Sequence, residues 1–491
     1  MENNIRFRNH ISVIFENSVK SLGTFFVIFL MSFFSDIAES DTSMGEVLLL
    51  IGILAAGLVI VLGWQTLIWA KTYISIQDNV LIVERNTLNR KRNTIGLSNI
   101  SNVNLEQNVL EMIFGTCKVK LDTNSLSTAD ETDVKIVLKK ADAEWFRRVV
   151  LGEAEMQAAE AEPNLQSSNP QSRNGYSGSM GDIVLHGLFS IHISSVIFLI
   201  ALIVIGIIGL ANMTRGEIGE GIAELFGSIF VFAWFVGGII WSMFKEFVKY
   251  LNFRIERKEN KVFLSYGLLK KVAYSIPVDK INAIRLVQTP IARMGGRYMA
   301  EVINVGMDDD ENESNTFLLP YAKKEKIRAQ LNNLLPEFAG CMDISEEKQP
   351  KSIWVIWIPR VLIYLCLVAV AYGIVMEFIP EFKLVPIYIG AGLGLWLLIL
   401  KIFSYFTKGL AVHNQFLKIV EGAFGRKMMF VRYDKIQYIT GKQNVLANCF
   451  HVQKGNLFLL ASLTNRVHEL PYFKEDQMET LKQHLIEFTR Y

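Results

Sequence analysis

One stretch of the chain, residues 275–281, reads SIPVDKI and recurs in altered form twice. Its last residue, Ile281, follows Gly267 by fourteen positions and precedes Gln288 by seven. Two further sets keep both spacings: Asn86, Ile100 and Gln107, and Gly422, Ile436 and Gln443. Self-similarity at fixed spacing is the sequence signature of a repeated structural unit. The sequence therefore predicts three copies of one domain.

Strand-like and helix-like patterns surround each copy of this signature. Alternating β-branched and aromatic residues at 73–76, 253–255 and 410–412 are typical of strands. Apolar stripes at helical spacing close each copy: Trp145, Phe146, Val149 and Val150; Ile327, Leu331 and Leu334; Met478, Leu481, Leu485 and Phe488. Two of these helices are expected to open at Leu319-Pro320-Tyr321 and Leu470-Pro471-Tyr472, because proline suits a first helical turn. Each copy is thus predicted to be a bent sheet or open barrel with a helix packed across it.

The composition indicates that the chain is a membrane protein. Of 491 residues 51% are hydrophobic and 20% charged, which is too apolar for a disordered or collagen-like chain. The apolar residues fall into six blocks: 19–35, 47–70, 194–213, 225–244, 361–379 and 384–406. About 20 apolar residues cross a bilayer as a helix. The blocks therefore predict six transmembrane helices, paired by short loops into three hairpins.

Charge sets the expected orientation. The hairpin loops carry acidic residues, whereas lysines and arginines flank the other ends of the blocks. Because basic residues close to the membrane mark its cytoplasmic side, both termini and all soluble parts are predicted to be cytoplasmic. The predicted map is hairpin 1–70, domain 71–151, flexible linker 152–182, hairpin 183–247, domain 248–340, hairpin 351–407 and domain 408–491.

The order of hairpin, strand, glycine turn, basic hairpin and terminal helix resembles the bacterial pleckstrin-homology-like (bPH) membrane proteins, in their three-domain YdbT type. Pro277 and Ile281 within SIPVDKI carry this resemblance best. The first copy departs from it with Asn86 for the glycine and Leu97 for the proline, and the third has Val431-Arg432 in place of Ile-Pro. The resemblance implies a PH-like barrel of about seven strands capped by a C-terminal helix, and no known catalysis.

A basic turn recurs at one position of the repeat: Arg90, Lys91 and Arg92; Lys270 and Lys271; Arg426 and Lys427. Cationic loops beside a cytoplasmic leaflet would attract anionic lipid headgroups. The alternative is a solvated turn, or basic charge that only sets membrane orientation. The turns are therefore candidate lipid-binding residues.

The repeated glutamines Gln107, Gln288 and Gln443 have two interpretations. Each could contact a ligand in the barrel mouth. An amide both donates and accepts hydrogen bonds, so each could instead tie the backbone of its own loop. Repetition within one chain favours this second, structural role.

Other residues give little support to a catalytic or metal site. Arg360 is expected to reach the headgroups from the edge of the fifth block, and His186 and His192 to lie at the interface. The remaining histidines and the four isolated cysteines lack metal-ligand spacing. Glycines 206, 209, 237, 238, 390, 392 and 394 indicate close helix packing. No metal, cofactor or enzyme activity is predicted, and a net charge of +2 gives no nucleic-acid footprint.

The favoured function is a non-enzymatic scaffold in the cell membrane. Open sheet edges can bind another protein by strand addition, and the expected partner is a smaller PH-like membrane protein or a second copy. A protective role at the envelope fits that location. The alternative function is binding, handling or transport of anionic membrane lipids.

Overall fold

A computed structural model of the chain describes residues 5–18, 44–87, 89–123, 135–151, 175–191, 218–304, 316–460 and 466–489, with a few single positions between 23 and 211. Each sequence repeat supplies seven strands and a terminal helix, here called a module. Module 1 comprises β1 (Ile5–Phe7), β2 (Thr72–Gln77), β3 (Val80–Asn86), β4 (Arg90–Gly96), β5 (Ile100–Gln107), β6 (Thr116–Thr123), β7 (Lys135–Lys139) and three helices: α1 (Met44–Lys71), α2 (Val109–Phe114) and α3 (Lys140–Leu151).

Modules 2 and 3 repeat this order. Module 2 comprises β8 (Gly175–Ser177), β9 (Arg254–Lys258), β10 (Lys261–Tyr266), β11 (Lys271–Pro277), β12 (Ile281–Gln288), β13 (Arg297–Asn304), β14 (Thr316–Lys323), α4 (Met180–Phe189), α5 (Ile218–Tyr250), α6 (Pro290–Met294) and α7 (Lys324–Leu334). Module 3 comprises β15 (Glu347–Lys348), β16 (Gly409–Val412), β17 (Phe416–Gly422), β18 (Arg426–Arg432), β19 (Ile436–Lys442), β20 (Val452–Leu459), β21 (Val467–Lys474), α8 (Ile353–Phe378), α9 (Val385–Thr407), α10 (Val445–Cys449) and α11 (Glu475–Thr489).

The chain packs as two compact units. The first contains Met1–Gln171 and Phe263–Ile276, so it takes β11 and part of β10 from module 2. Its sheets run β1-β2-β3-β4 and β7-β6-β5-β11. Ile74, Leu81 and Val119 are fully buried between them, and helix α3 adds Phe146 to the same core. Each such side chain contributes about 1.5–3 kcal/mol by leaving water.

The second unit contains Ser172–Val262 and Pro277–Tyr491. A seven-stranded antiparallel sheet runs β14-β13-β12-β18-β17-β16-β15, and a three-stranded sheet runs β19-β20-β21. Ala283 of module 2 shares a core with Val431 and Leu457 of module 3. The stripe of α7 is buried at Ile327, Leu331 and Leu334, as the sequence predicts.

The predicted barrel does not close in the part of the chain that the structure describes. A short 3-10 turn separates the two sheets of a module, at Leu97–Asn99 in module 1 and Tyr433–Lys435 in module 3. After this turn, β5 and β12 do not continue their own module's first sheet. They pair instead with β11 and β18 of the following repeat. The modules are therefore open sheets that share strands.

The first strand of each module was missed by sequence reasoning. β1, β8 and β15 have only two or three residues, and each pairs with the strand that follows the predicted hairpin. Ile5 lies opposite Ile76, for example, although about 70 residues separate them. The predicted linker 152–182 was consequently too long, because its last residues form β8 and the start of α4. Its residues 152–174 lie outside the described ranges.

The two Leu-Pro-Tyr sequences do not open helices. Pro320 lies inside β14 and Pro471 inside β21, and the helices begin later, at Lys324 and Glu475. Both strands stand at the outer side of their sheets. A proline is tolerated there because an edge strand does not need every N–H for pairing.

Three described helical stretches are long and apolar enough to cross a membrane: Ile229–Tyr250, Ile353–Phe378 and Pro380–Thr407. They correspond to the fourth, fifth and sixth predicted blocks. The second block ends in a shorter apolar helix, Ala55–Lys71, and the first and third lie largely outside the described residues. Helix α8 begins before the predicted block and continues through Pro359, which places the exposed Arg360 within it.

Glycines let the last two of these helices approach. A Cβ on Gly390 would lie 2.8 Å from Val368, and one on Gly394 would lie 3.2 Å from Tyr364. The predicted close packing is therefore confirmed at these two positions. It is not found at Gly237, Gly238 or Gly392, where an added Cβ meets no atom within 4 Å.

Candidate functional site: the strand joints

Two antiparallel strand pairs join one module to strands of the next, and we call them joint 1 and joint 2. In joint 1, β5 pairs with β11, with Gln107 opposite Lys271. In joint 2, β12 pairs with β18, with Gln288 opposite Arg426. Both pairs join the repeated glutamine to the first residue of a basic-turn strand. The chain thus forms one joint twice in the same register.

Joint 2 is the longer of the two. Six consecutive residues of β12, Ala283 to Gln288, pair with β18. The Arg293 guanidinium of helix α6 donates to the Ala423 carbonyl at 3.0 Å and to the Thr407 hydroxyl at 2.9 Å. Gly425 packs so closely that a Cβ would lie 2.8 Å from the Gln288 carbonyl oxygen. Module 2 therefore holds the third basic turn through the Arg293 side chain and the Gln288 backbone.

A buried carboxylate lies in joint 1. Glu106 on β5 is only 3% exposed. It accepts a hydrogen bond from the Tyr274 hydroxyl of β11 at 3.0 Å, and the Lys120 and Lys270 ammonium groups lie 3.0 and 3.6 Å away. A buried charge needs such partners, because an unpaired one would be costly. Glu106 therefore ties the second basic turn to module 1.

A second carboxylate holds the third basic turn. Glu346, next to β15, forms an ion pair with Lys418 at 2.6 Å and contacts the Arg426 guanidinium. Partial burial alone would raise the pKa of Glu346, but the two cations outweigh it and lower that pKa below its ordinary value. Sequence reasoning missed both carboxylates, since neither belongs to the repeated signature.

The glycines of the signature shape the basic turns. Gly267 and Gly422 have φ angles of +108° and +127°. A Cβ on Gly267 would fall 1.8 Å from the Lys270 carbonyl oxygen, and one on Gly422 would fall 2.3 Å from that of Gly425. Only glycine fits these backbones. Asn86 of module 1 is not among the positive-φ residues, so the first basic turn has another shape.

The structure places the seven candidate lipid-binding residues in different surroundings. Lys270 and Arg426 lie within reach of the protein's own carboxylates, and Lys271 and Lys427 are exposed residues of the paired strands in joints 1 and 2. Arg90, Lys91 and Arg92 are exposed at the start of β4, where Arg92 lies 3.3 Å from Glu84. Lipid binding by these turns stays a prediction.

The repeated glutamines do tie their own loops. Each side-chain amide donates to a carbonyl nine residues later: Gln107 to Thr116 at 2.9 Å, Gln288 to Arg297 at 3.0 Å and Gln443 to Val452 at 3.1 Å. These bonds are the contacts that the structural interpretation describes. Ile100 and Ile281 are buried at the start of β5 and β12, while Ile436 is half-buried at the start of β19.

The outer strand β19 is more exposed than its counterpart β12, which lies in joint 2. Strand β12 has no exposed residue, whereas Gln437, Tyr438, Gly441 and Lys442 of β19 are exposed. Tyr438 is 48% exposed and stacks on Phe458 at 4.1 Å. Within the described sheets, β19 and β4 each stand at an outer side. They are the counterparts of the strands that form the joints.

One predicted interfacial residue is instead buried. His186 on α4 is 2% exposed and lies among Tyr250, Phe317 and Tyr321, with ring centroids 4.9–5.3 Å away. Burial lowers the pKa of His186 to about 3. His192 and the acidic residues 308–311 lie outside the described ranges. Among the residues that are described, no group of histidine, cysteine, aspartate or glutamate could hold a metal ion.

Comparisons with known proteins agree with this architecture. The bacterial PH domain family matches residues 25–154, 189–335 and 354–489, and each match ends at or just after a terminal helix. The UPF0699 transmembrane protein YdbT of Bacillus subtilis (strain 168) is 24% identical over 290 residues, which cover 55% of this chain and 57% of that protein. The chain thus spans little more than half the length of this relative. No solved structure matches.

The three family matches together cover well over half of the chain, and each contains one of the three sequence repeats and all but the first strand of that module's sheets. The chain therefore belongs to the bacterial PH domain family.

Proposed function

We propose that this protein is a non-enzymatic scaffold of the cell membrane whose PH-like modules bind proteins by strand addition. One observation carries the proposal: the chain already uses this mode twice, in the same register, to join its own modules. Backbone hydrogen bonds supply the affinity in strand addition, and the side chains opposite each other supply the specificity. The outer strands offer the same kind of edge to another chain.

The proposal includes six spanning helices, with both termini and all modules in the cytoplasm. The three confirmed apolar helices and the basic flanks of the blocks support this topology. Cys449 on α10 and Cys366 on α8 are exposed, whereas Cys117 and Cys341 are buried, so the test uses a Cys366→Ser background. A membrane-impermeant maleimide should therefore label Cys449 in permeabilised cells and not in intact ones. Labelling of Cys449 in intact cells would refute the topology.

The scaffold itself is tested by co-purification of the tagged full-length chain from its native membranes. A protein bound through β19 should be lost from Tyr438→Asp, because a carboxylate would replace the exposed ring on that strand. Val467→Asp is the matched control, since Val467 is 44% exposed on β21, at the opposite side of the same sheet. Equal recovery from both variants, or no protein from either, would contradict the proposal.

A protective role at the envelope belongs to the same proposal and rests on the membrane location. Cells without the chain should become more sensitive to membrane-active peptides, and the wild-type chain should restore resistance. The Tyr438→Asp variant should fail to restore it if protection needs the bound partner. Full protection by that variant would separate this role from strand addition.

Lipid binding is the second candidate function, and a cavity of module 1 favours it. The cavity has a volume of about 350 Å³ and is lined by Arg85, Lys91 and Lys118 beside Trp69, near the end of α1. The lining contains these three basic side chains and one acidic side chain, Glu16, which pairs with Lys118 at 2.6 Å. An anionic headgroup would fit such a site.

Native mass spectrometry of the detergent-solubilised chain with added phosphatidylglycerol or phosphatidylcholine tests this alternative. We expect the anionic lipid to bind preferentially, and Arg85→Glu with Lys91→Glu to abolish the preference. Lys482→Glu, a charge reversal on the exposed side of α11, is the control. No preference in the wild-type chain would exclude the site.

A further inference from the structure

The two joints define which strands pair. The strand that carries the repeated glutamine, as in β5 and β12, accepts a strand that starts with a basic turn, as in β11 and β18. One strand of each kind stands at an outer side of a described sheet and is not part of a joint. We call β19 (Ile436–Lys442) the tail edge and β4 (Arg90–Gly96) the head edge.

The shared register predicts what would lie opposite the tail edge. Gln107 opposes Lys271 and Gln288 opposes Arg426, so an incoming strand should place the first residue of its basic-turn strand opposite Gln443. Each later residue of that strand then faces an earlier residue of β19. If the incoming strand were the head edge of a second copy, Arg90 would oppose Gln443 and Lys91 would oppose Lys442.

This arrangement would bring two ammonium groups together. The pairs at the corresponding place are Glu106 with Val272 in joint 1 and Val287 with Lys427 in joint 2. Neither joint contains a like-charge pair there, because like charges directly opposite each other destabilise a sheet. Lys442 and Lys91 are both exposed, and their side chains would lie opposite each other if two copies paired through the tail and head edges.

The next pair of opposed residues, Arg92 and Gly441, would also differ from the corresponding pairs in the two joints. Both joints have two apolar side chains at this place, Leu105 with Ala273 and Leu286 with Met428. A second copy would instead bring Arg92 opposite Gly441, which has no side chain to pack against it. Basic residues on an outer strand are a common device against edge-to-edge assembly of identical chains.

We propose that the tail edge binds the basic-turn strand of a PH-like module on a different protein, and that this strand carries a carboxylate opposite Lys442. The opposed carboxylate forms the cross-strand ion pair that Lys91 of a second copy cannot form. Joint 1 shows the same chemistry in reverse, since its acceptor-strand Glu106 lies near Lys270 of the incoming turn. This inference rests on the strand-addition function proposed above and specifies its partner.

Two differently tagged full-length copies test the rule, with one copy taking the place of the partner. The exposed cysteines are removed as Cys366→Ser and Cys449→Ser. One copy carries Thr440→Cys on its tail edge, and the other carries Asn93→Cys on its head edge; these positions correspond to Arg285 and Met429, which are opposed in joint 2. The second copy also carries Lys91→Glu, so that it presents a carboxylate opposite Lys442 and serves as the probe strand.

We expect disulfide-linked heterodimers to form several-fold more with the Lys91→Glu copy than with a copy that retains Lys91. Lys442→Glu on the tail edge should reverse this preference, because its carboxylate then attracts Lys91 and repels the carboxylate of the Lys91→Glu copy. Lys482→Glu on α11 should leave the preference unchanged. Both copies should elute and unfold as the parent chain does, which excludes misfolding as the cause.

Equal linkage of the Lys91→Glu copy and of the copy that retains Lys91 would overturn the proposal, since the tail edge would then accept a second copy regardless of charge. Absence of linkage with every copy would overturn it as well, because the tail edge would not accept a strand at all. If Tyr438→Asp and Val467→Asp recover the same proteins in the co-purification, that result contradicts only the scaffold function in cells. The two proposals can therefore fail separately.

Discussion

The glutamine side chains show how one residue type serves the same structural role under different burial. Gln288 is 4% exposed and Gln443 is exposed, although both donate to the carbonyl nine residues later. The Gln288 amide is buried, so water is kept from its place and the loss of its hydrogen bond costs about 1–3 kcal/mol, whereas water can take the place of the exposed Gln443 amide.

Gln288→Ala should therefore lower the apparent unfolding temperature of the detergent-solubilised protein clearly, by the equivalent of about 1–3 kcal/mol. Gln443→Ala should lower it by much less. Calorimetry or a thermal-shift assay of both variants provides the comparison. Equal effects would mean that the amides act through contacts other than these loop bonds.

His186 makes stability depend on pH. Its pKa is about 3 in the folded protein, because burial and, to a smaller extent, Lys249 disfavour the protonated ring. The ordinary value in an unfolded chain is about 6.5. The folded pKa is the lower one, so the unfolded chain binds the proton more tightly, and stability falls as the pH drops below about 6.5.

At pH 5 this linkage should cost about 2 kcal/mol relative to pH 7.5. The backbone N–H of Tyr321 points at the ring Nδ1 from 3.5 Å, which also requires an unprotonated nitrogen. His186→Phe keeps an aromatic ring and should flatten the dependence of unfolding temperature between pH 5 and 7.5. An unchanged pH dependence in this variant would assign the effect to other groups.

At the scale of elements, joint 2 depends on close backbone contact. A methyl group on Gly425 would lie 2.8 Å from the Gln288 carbonyl oxygen. Gly425→Ala should therefore push the third basic turn away from β12 and destabilise the protein by about 1–3 kcal/mol. Gly392→Ala is the matched control, since its methyl would meet no atom within 4 Å. Similar unfolding temperatures for the two variants would show that the joint tolerates separation.

The elements also show what the sequence could predict. The signature spacing located three modules, and helical stripes located α3, α7 and α11, because periodicity and glycine turns are local properties. The short strands β1, β8 and β15 could not be found, since each pairs with a strand beyond a predicted hairpin. Pro320 and Pro471 were placed in helices because whether a strand stands at the outer side of a sheet is decided only by tertiary structure.

The candidate site was predicted only in part for the same reason. The basic turns and the glutamines were identified as recurrent, and each glutamine amide bonds its own loop. In each joint a glutamine lies opposite a basic residue more than 130 positions away in the sequence. No local sequence pattern predicts such a pairing. Glu106 and Glu346, which hold the turns, occur at positions that the repeat does not share.

At the scale of the whole molecule, joint 1 binds residues that the sequence map assigns to different domains. The first compact unit takes Phe263–Ile276 from beyond the predicted linker. A protease site introduced within residues 152–174 should therefore yield two fragments that remain associated after solubilisation in mild detergent. An affinity tag on the N-terminal fragment should recover both, because β5 still pairs with β11.

Glu106→Lys should separate the fragments. It replaces the carboxylate that accepts the Tyr274 hydroxyl and adds a third cation beside Lys120 and Lys270. Glu84→Lys is the matched reversal, on β3 and outside the joint, and should leave the fragments together although it removes the contact with Arg92. Before cleavage both variants should elute as the parent chain does, which shows that they fold. Fragments of the parent chain that separate at once, or Glu106→Lys fragments that stay bound, would show that joint 1 does not hold the cleaved chain together.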